Sequence, residues 1–300
     1  MTQAKLVDTT RCIGCRACQV ACKQWNELPA ERTELEGRST GLQNPLSLSA
    51  KTYTILTMHE VANDKAPGGV SLVHAHRQCM HCNEPACVAA CPVTALEKTK
   101  EGAVTYDPDK CLGCRYCVWA CPFNVPTAEW NNLAPQIQKC DLCHSRTAGP
   151  DGAIDLPMTQ ATAKLKNQEL PVRQPACVKV CPTKALQFGE REALLKEARQ
   201  RIADHPGRYV SHIYGEKEAG GTSTFYLSAV PFEQLGFRMN LGEKSYPALS
   251  SKALGMVSPA VIGMGGALAA VYLLKKRKED VREKEQGGKE QSAEKQANQE

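Results

Sequence analysis

The sequence predicts an α+β protein that ends in a single transmembrane helix, and three features of its 300 residues support this prediction. The chain contains 16 cysteines, every cysteine belongs to one of four groups of four, and an uncharged run of 22 residues lies near the C-terminus. Lys and Arg total 37 against 32 Asp and Glu, for a net charge of +5. This balance excludes a polybasic protein that binds nucleic acid, and the 42% apolar composition excludes a fully disordered chain.

The cysteine groups have a short and recurring spacing. The first and third groups read C-x2-C-x2-C-x3-C, the second reads C-x2-C-x4-C-x3-C, and the fourth has a gap of 33 residues between its second and third cysteines. Cysteines this close suit neither relaxed disulfide geometry nor the separated pairs of a structural zinc site. The spacing is that of the bacterial ferredoxin run, in which three cysteines hold one [4Fe–4S] cluster and the fourth reaches a second. The sequence therefore predicts four [4Fe–4S] clusters.

An internal repeat indicates how the groups are organised. CIGCRAC in the first group returns as CLGCRYC in the third, and EPACVAACPVTAL in the second returns as QPACVKVCPTKAL in the fourth. Only 19 residues separate the second and third groups, so these two are predicted to form an inner ferredoxin-like module. The first and fourth groups then form an outer module, which gives two nested two-cluster modules. The predicted boundaries are 1–78 and 127–252 for the outer module, 79–126 for the inner module, 253–274 for the helix and 275–300 for a tail.

The last cysteine of each ferredoxin run is expected to bind the neighbouring cluster. The predicted ligand sets are Cys12, Cys15, Cys18 and Cys181; Cys22, Cys140, Cys143 and Cys177; Cys79, Cys82, Cys87 and Cys121; and Cys91, Cys111, Cys114 and Cys117. The alternative, in which each group closes its own cluster, stays open at this point. Walker, G-x-G-x-x-G, H-E-x-x-H and G-x-S-x-G motifs are absent from the sequence. We therefore expect a chain that transfers electrons and has no catalytic residues.

Secondary structure between the cysteine groups follows from local patterns. The predicted strands are Thr52–Met58, Val70–Ala75, Tyr209–Tyr214 and Thr224–Val230. Residues Glu190–Ala203 predict an amphipathic helix. Its predicted apolar stripe consists of Ala193, Leu194, Ala198 and Ile202. The segment Arg146–Pro175 is rich in Gly and Pro, and it predicts a surface loop that either contacts a partner or has no role.

Several residues beside the cysteines are candidates for supporting roles. His81 and His144 are expected to be neighbours of clusters rather than ligands, because each cluster already has four thiolates. Arg16, Arg115 and Lys139 either raise reduction potentials by their charge or are solvated on the surface. No electron-relay role is assigned to the tryptophans, which are expected to be packing residues. These are Trp25, Trp119 and Trp130.

The uncharged run Ala253–Leu274 predicts a transmembrane helix. At ~1.5 Å per residue it is about 33 Å long, enough for a hydrocarbon core of about 30 Å; a buried core helix is the alternative. Small residues four apart, such as Gly263 and Ala267, form a face suited to packing against another membrane helix. The basic run Lys275–Lys278 is expected to be cytoplasmic, which places the cysteine-rich part on the periplasmic side. Residues Glu279–Glu300 are polar and are expected to be a disordered tail.

Longer segments around the cysteines resemble a known family. These segments are CIGCRACQVACKQWNE (Cys12–Glu27), LSAKTYT (Leu48–Thr54), CMHCNEPAC (Cys79–Cys87), GCRYCVWACPFNVP (Gly113–Pro126) and PACVKVCPTKALQFG (Pro175–Gly189). Together with the order of the groups and the C-terminal helix, they resemble the iron–sulfur (beta) subunit of membrane-bound molybdopterin oxidoreductases. The resemblance is to the respiratory formate dehydrogenase beta subunit in particular, and it spans nearly the whole chain.

This resemblance implies partners and a location. A molybdopterin catalytic (alpha) subunit would oxidise formate in anaerobic respiration, and electrons would pass through the four [4Fe–4S] clusters to a cytochrome b membrane (gamma) subunit and then to quinone. The chain would be a single-pass protein of the bacterial inner membrane in contact with lipid, exported together with its catalytic subunit. Two segments, Tyr214–Thr222 and Val230–Phe237, are also similar to the electron-transfer subunit of membrane-bound nickel–iron hydrogenases. A third alternative is a free-standing polyferredoxin.

Overall fold

The computed structural model describes residues 2–33, 43–64, 66–130, 135–147 and 173–297. The chain divides into two compact units, Met1–Pro247 and Ala248–Glu300. The strands are β1 (Gln3–Asp8), β2 (Ile55–Ala62), β3 (Val70–Arg77), β4 (Leu96–Lys98), β5 (Val104–Tyr106), β6 (Thr127–Ala128), β7 (Ile137–Gln138), β8 (Leu186–Glu190) and β9 (Thr224–Leu227). The α-helices are α1 (Ala17–Trp25), α2 (Ala86–Ala89), α3 (Tyr116–Ala120), α4 (His144–Thr147), α5 (Ala176–Lys179), α6 (Arg191–Asp204) and α7 (Tyr246–Ala297).

A three-stranded sheet organises the first unit, with β1 in the middle. β1 pairs with β8 in antiparallel and with β9 in parallel orientation. Successive side chains of a strand point to opposite faces. Ala4 and Leu6 pack against α6, whereas Val7 lies in the other core cluster, with Cys18 and Cys177. The sheet therefore separates a conventional apolar core from the side on which these two cysteines lie.

The helix predicted over Glu190–Ala203 is confirmed as α6, displaced by one residue at each end. Its buried residues are Leu194, Leu195 and Ala198. Ala193, predicted for the stripe, is exposed. Leu195 takes its place because a leucine removes more apolar surface from water than an alanine does.

The predicted strands have mixed outcomes. Val70–Ala75 is confirmed within β3, and Thr224–Val230 is confirmed but ends at Leu227. The strand predicted over Thr52–Met58 starts three residues later and continues to Ala62 as β2, which pairs with β3. The strand predicted over Tyr209–Tyr214 is wrong, because only an isolated bridge between Tyr214 and Tyr226 forms there. Aromatic packing fixes this segment instead: the Tyr214 ring contacts the rings of Phe232 and Phe237.

Short helices next to the cysteines pack in two pairs. Helix α1 follows the first three cysteines and packs against α5 of the fourth group, while α2 of the second group packs against α3 of the third. The hairpins β4–β5 and β6–β7 contribute Leu96, Val104 and Ile137 to the core that holds Cys87 and Cys117. These pairings are those expected of an outer and an inner module, whose nested arrangement and boundaries stay predictions.

The second unit consists of the helix α7 over its described residues. Up to Arg282, α7 is long and apolar enough to cross a membrane by length and composition, and it contains Pro259. The expectation of a disordered tail differs from the structure, in which the backbone is helical through Ala297. Lys, Glu, Gln and Ala dominate this region and are strong helix formers, and Lys275 forms an i,i+4 ion pair with Glu279. The predicted loop Arg146–Pro175 lies outside the described residues from 148 to 172.

Candidate iron–sulfur cluster sites

The four C-x2-C turns share one backbone conformation. In each turn the residue immediately before the second cysteine has a positive φ: 73° at Gly14, 50° at His81, 70° at Gly113 and 62° at Leu142. A residue in this left-handed region turns successive backbone N–H groups toward one concave side, which is an arrangement that binds anions and occurs at iron–sulfur sites. Each turn is therefore shaped to surround an anionic group.

Glycine is required at two of these turns for a second reason. A Cβ atom on Gly14 would lie 2.5 Å from the His74 ring, and one on Gly113 would lie 3.0 Å from Pro135. Both distances are shorter than an unstrained contact, so the backbone here approaches its neighbours as only glycine allows. The recurring CxGC sequence of the first and third groups thus has a structural cause.

Backbone N–H groups also donate hydrogen bonds to cysteine sulfurs. Ala95 N donates to Cys91 Sγ at 3.2 Å, and Leu142 N donates to Cys140 Sγ at 3.4 Å. A left-handed residue recurs three positions after each cysteine that precedes a proline. These residues are Thr94, Asn124 and Lys184. Donors directed at sulfur stabilise the thiolate form, which is the form that binds metal.

The first predicted ligand set lies around one cavity. Cys12, Cys15, Cys18 and Cys181 all line it, although 162 residues separate Cys18 from Cys181 in the sequence. Burial raises the pKa of the Cys12 thiol, and the charges of Cys181 and Cys15 add to this effect. His76, which is fully buried, lines the same cavity, and neither of its ring nitrogens has a hydrogen-bond partner among the described residues.

The second set brings Cys22 of the first group to cysteines of the fourth. Burial raises the pKa of Cys22 to about 11, and the neighbouring Cys177 raises it further. Burial likewise raises the pKa of Cys143 to about 12, with contributions from Cys177 and Cys22. Cys140 is buried too, and the charges of Cys22 and Cys143 help to raise its pKa. The four thiols therefore share one buried region.

The third and fourth sets are arranged in the same way. Burial raises the pKa of Cys82 in the third set, and its interacting thiols are Cys79, Cys121 and Cys87. Burial raises the pKa of Cys117 in the fourth set to about 11, and its interacting thiols are Cys111, Cys114 and Cys91. In both sets one cysteine comes from the other group, as the crossed arrangement requires.

The donor chemistry of these sets fits [4Fe–4S] clusters. Soft thiolates are the ligands of such clusters, and a buried thiol gives up its proton only when a cation takes the proton's place. Among the described residues, no three His, Cys, Asp or Glu side chains are arranged to hold a single metal ion. In a [4Fe–4S] cluster each thiolate binds a different iron, so the four sulfurs surround a volume rather than a point.

Neighbouring sets lie side by side in a row. The pairs that connect one set to the next are Cys18 with Cys177, Cys140 with Cys79, and Cys87 with Cys117. Cys15 of the first set and Cys114 of the fourth are exposed, whereas the other fourteen cysteines are buried or half-buried. The row therefore has two solvent-facing ends, with the second and third sets inside.

Exposed apolar side chains surround both ends. Ile13 and Val20 are exposed near the first set, and Leu112 and Tyr116 are exposed near the fourth. Trp119, expected to be a packing residue, is 80% exposed beside the fourth set. The other two tryptophan rings contact Arg guanidinium groups, Trp25 with Arg146 and Trp130 with Arg115. Exposed aromatic and aliphatic groups at the ends of the row are suited to contact with partner proteins.

The predicted supporting residues can be placed. His81 is buried and accepts a hydrogen bond from Val104 N through Nδ1 at 3.0 Å. Lys139 is buried and its Nζ donates to the backbone oxygens of Val104 and Cys140, so it is not a solvated surface charge. Two more lysines near the cysteines, the buried Lys5 and the half-buried Lys98, carry no prediction from the sequence. The lysine between apolar residues in AKLV is the only sequence signal that points to Lys5, and it becomes meaningful once this segment is known to be a strand.

Comparison with known proteins agrees with this site. Two models described as 4Fe-4S dicluster domain match residues 11–95 and 70–163. A protein of Nitratidesulfovibrio vulgaris is 42% identical over 94% of this chain and 69% of its own length. The hydrogenase-2 operon protein HybA of Escherichia coli O157:H7 is 34% identical over 87% of this chain and 81% of its own length. The formate dehydrogenase iron-sulfur subunit of Haemophilus influenzae is 35% identical over 75% of this chain and 64% of its own length.

The matches define a protein with 4Fe–4S dicluster domains. The chain belongs to the family of iron–sulfur electron-transfer subunits that includes HybA and the formate dehydrogenase iron–sulfur subunits. Its relatives are subunits of multisubunit oxidoreductases of two kinds, which indicates that this chain also has redox partner subunits.

Proposed function

We propose that this chain holds four [4Fe–4S] clusters through the four crossed cysteine sets and transfers electrons between a catalytic subunit and a membrane subunit. Each cluster, when bound, accepts and returns one electron. The observation that carries the proposal is the row of four sets with an exposed cysteine at each end. Electrons enter at one end and leave at the other, and the apolar side chains around the ends are where the partner subunits bind.

The proposed catalytic partner is a molybdopterin formate dehydrogenase subunit, and the proposed acceptor is a cytochrome b subunit that reduces quinone. The segments that resemble the formate dehydrogenase beta subunit support this assignment, as does the 35% identity to formate dehydrogenase iron–sulfur subunits. A nickel–iron hydrogenase is the second candidate. The match to HybA favours it, because that match extends over 87% of the chain rather than 75%.

Helix α7 is proposed to anchor the chain in the inner membrane through Ala253–Leu274. Leu254, Ile262, Leu268 and Leu273 are all exposed on it, and a helix that is apolar all round needs a nonaqueous environment. In this arrangement the cysteine-rich unit is periplasmic. Protease added to cells with an opened outer membrane is then expected to leave residues 275–300 intact. Digestion of these residues would indicate the opposite orientation in the membrane.

Purification of the native complex in mild detergent under anaerobic conditions tests the function. The purified chain is expected to contain about sixteen irons. An iron content near eight, or zinc in place of iron, contradicts the four-cluster proposal. Dye reduction that depends on formate supports the first partner and dye reduction that depends on hydrogen supports the second. A cluster-loaded chain that is extracted without detergent and purifies alone supports the polyferredoxin alternative.

A further inference from the structure

Lys5 is a lysine with no solvent exposure at all, in the middle strand of the sheet. Its neighbours Ala4 and Leu6 belong to the apolar core under α6. Because side chains alternate along a strand, Lys5 points to the opposite face, where the cysteines lie. The strand therefore inserts a positive charge among the buried thiols.

The surroundings of Lys5 belong to two neighbouring ligand sets. Its Nζ atom lies 3.7 Å from Cys177 Sγ and is placed to donate a hydrogen bond to it. Burial raises the pKa of Cys18 in the first set and of Cys22 and Cys140 in the second, and the Lys5 charge lowers the pKa of all three. Lys5 thus lies where the first set meets the second.

The positive charge of Lys5 has no carboxylate partner in the described part of the chain. Among those residues the polar contact of its Nζ is with Cys177 Sγ, and no ion pair with an Asp or Glu oxygen forms. The acid of the same strand, Asp8, is bound to Arg201 at 2.9 Å instead. A buried ammonium without a counter-charge is strongly unfavourable, so an anion is required beside it. A [4Fe–4S] cluster bound by four thiolates has a net negative charge and meets that requirement.

We propose that Lys5 is a positioning residue that stabilises the reduced state of the cluster bound by Cys22, Cys140, Cys143 and Cys177, and more weakly that of the cluster in the first set. Reduction adds one negative charge to a cluster, and a fixed cation in a buried site of low dielectric favours this change. This inference rests on the proposed four-cluster function. It assigns a role in electron transfer to a residue that binds no iron.

The test replaces Lys5 by a neutral residue of similar length in the full chain within its native complex. Redox titration followed by electron paramagnetic resonance measures the midpoint potential of each cluster in Lys5→Met and in the unchanged protein. We expect the potential of the second-set cluster to fall by at least about 59 mV, a tenfold change in a one-electron reduction constant. A smaller fall is expected at the first-set cluster, and the other two potentials are expected to remain unchanged.

Lys179→Met is the matched control. Lys179 is two residues from Cys177 but is exposed, so water and salt screen its charge and its removal is expected to leave all potentials unchanged. Lys5→Arg keeps the charge and is expected to restore the second-set potential. If Lys5→Met does not assemble its clusters while Lys5→Arg does, the requirement for the charge is supported.

Two results overturn the inference. One is a fully loaded Lys5→Met protein with unchanged potentials, and the other is loss of the clusters in both the Met and the Arg variants, which indicates a steric role. The iron content of the unchanged protein separates this failure from failure of the proposed function. If that protein holds fewer than four clusters, the proposed function fails as well.

Discussion

Paired cysteine replacements distinguish crossed ligand sets from sets that close within one group. In the crossed arrangement Cys12 and Cys181 bind the same cluster, whereas Cys177 and Cys181 bind two different clusters. Cys12→Ala with Cys181→Ala then leaves one site with two thiolates, too few to hold a [4Fe–4S] cluster. Cys177→Ala with Cys181→Ala leaves two sites with three thiolates each. We expect the first pair to remove about a quarter of the intact [4Fe–4S] signal and the second pair to remove about half.

Mössbauer spectroscopy of ⁵⁷Fe-labelled protein measures the intact [4Fe–4S] fraction directly. The second pair is also expected to produce [3Fe–4S] signals, because a three-thiolate site can keep three irons. The two variants are matched, since each lacks two cysteines and both lack Cys181. The reverse order, with half the signal lost from the Cys12 pair and a quarter from the Cys177 pair, refutes the crossed sets. It is the result expected if each group closes its own cluster.

Three further predictions concern stability. Asp8→Asn is expected to lower the free energy of unfolding by about 2 kcal/mol in anaerobic urea titrations, less than the ~3–5 kcal/mol for an isolated buried charge, because Arg201 keeps its ion pair with Glu197. Leu195→Ala is expected to cost about 2–5 kcal/mol in the same assay, because it opens a cavity under the sheet. Burial raises the pKa of Glu31, but hydrogen bonds from hydroxyls and a lysine lower it more, so its folded pKa lies below its unfolded pKa. The stability that Glu31 contributes is therefore present above the unfolded pKa and is lost as the pH falls through the folded pKa. Limited proteolysis is expected to cleave the chain around Glu31 faster below about pH 4.5.

Exposed positions supply the controls for these stability predictions. The Glu192 side chain is 70% exposed in its ion pair with Arg191. Glu192→Gln is therefore expected to change the free energy of unfolding by less than about 1 kcal/mol. Lys196→Ala, next to Leu195 on α6, is expected to stay within about 0.5 kcal/mol. Glu31→Gln is expected to remove the acid dependence of proteolysis. Equal losses in the buried and exposed variants contradict the structural reasoning.

The candidate ligand residues can be recognised in the sequence because the chemistry they suit depends on short spacing. A thiolate every three residues, followed by a turn and a proline, is a local pattern that survives any arrangement of the rest of the chain. Helix α6 could be predicted for a similar reason, since its stripe lies within fourteen residues. The uncharged run near the C-terminus could likewise be recognised from composition alone.

Features that depend on distant residues could not be predicted. β1 is six residues long, and it is a strand because β8 and β9, more than 170 residues later, supply its partners. Tyr209–Tyr214 has the residue types of a strand but is fixed by aromatic rings from residues 226–237. The burial of Lys5 follows from the position of β1, so the role proposed for it could not be inferred before the sheet was known.

The exposure of Cys15 and Cys114 has a consequence for how the protein withstands air. Oxidation of a cysteine follows its thiolate character and its accessibility, so oxidants reach these two cysteines before the buried ones. Damage in an unassembled chain therefore begins at both ends of the row and proceeds inward. In the proposed complex, partner subunits that cover the ends would exclude oxidants as well as exchange electrons, and the assembled complex would be the durable form of the protein.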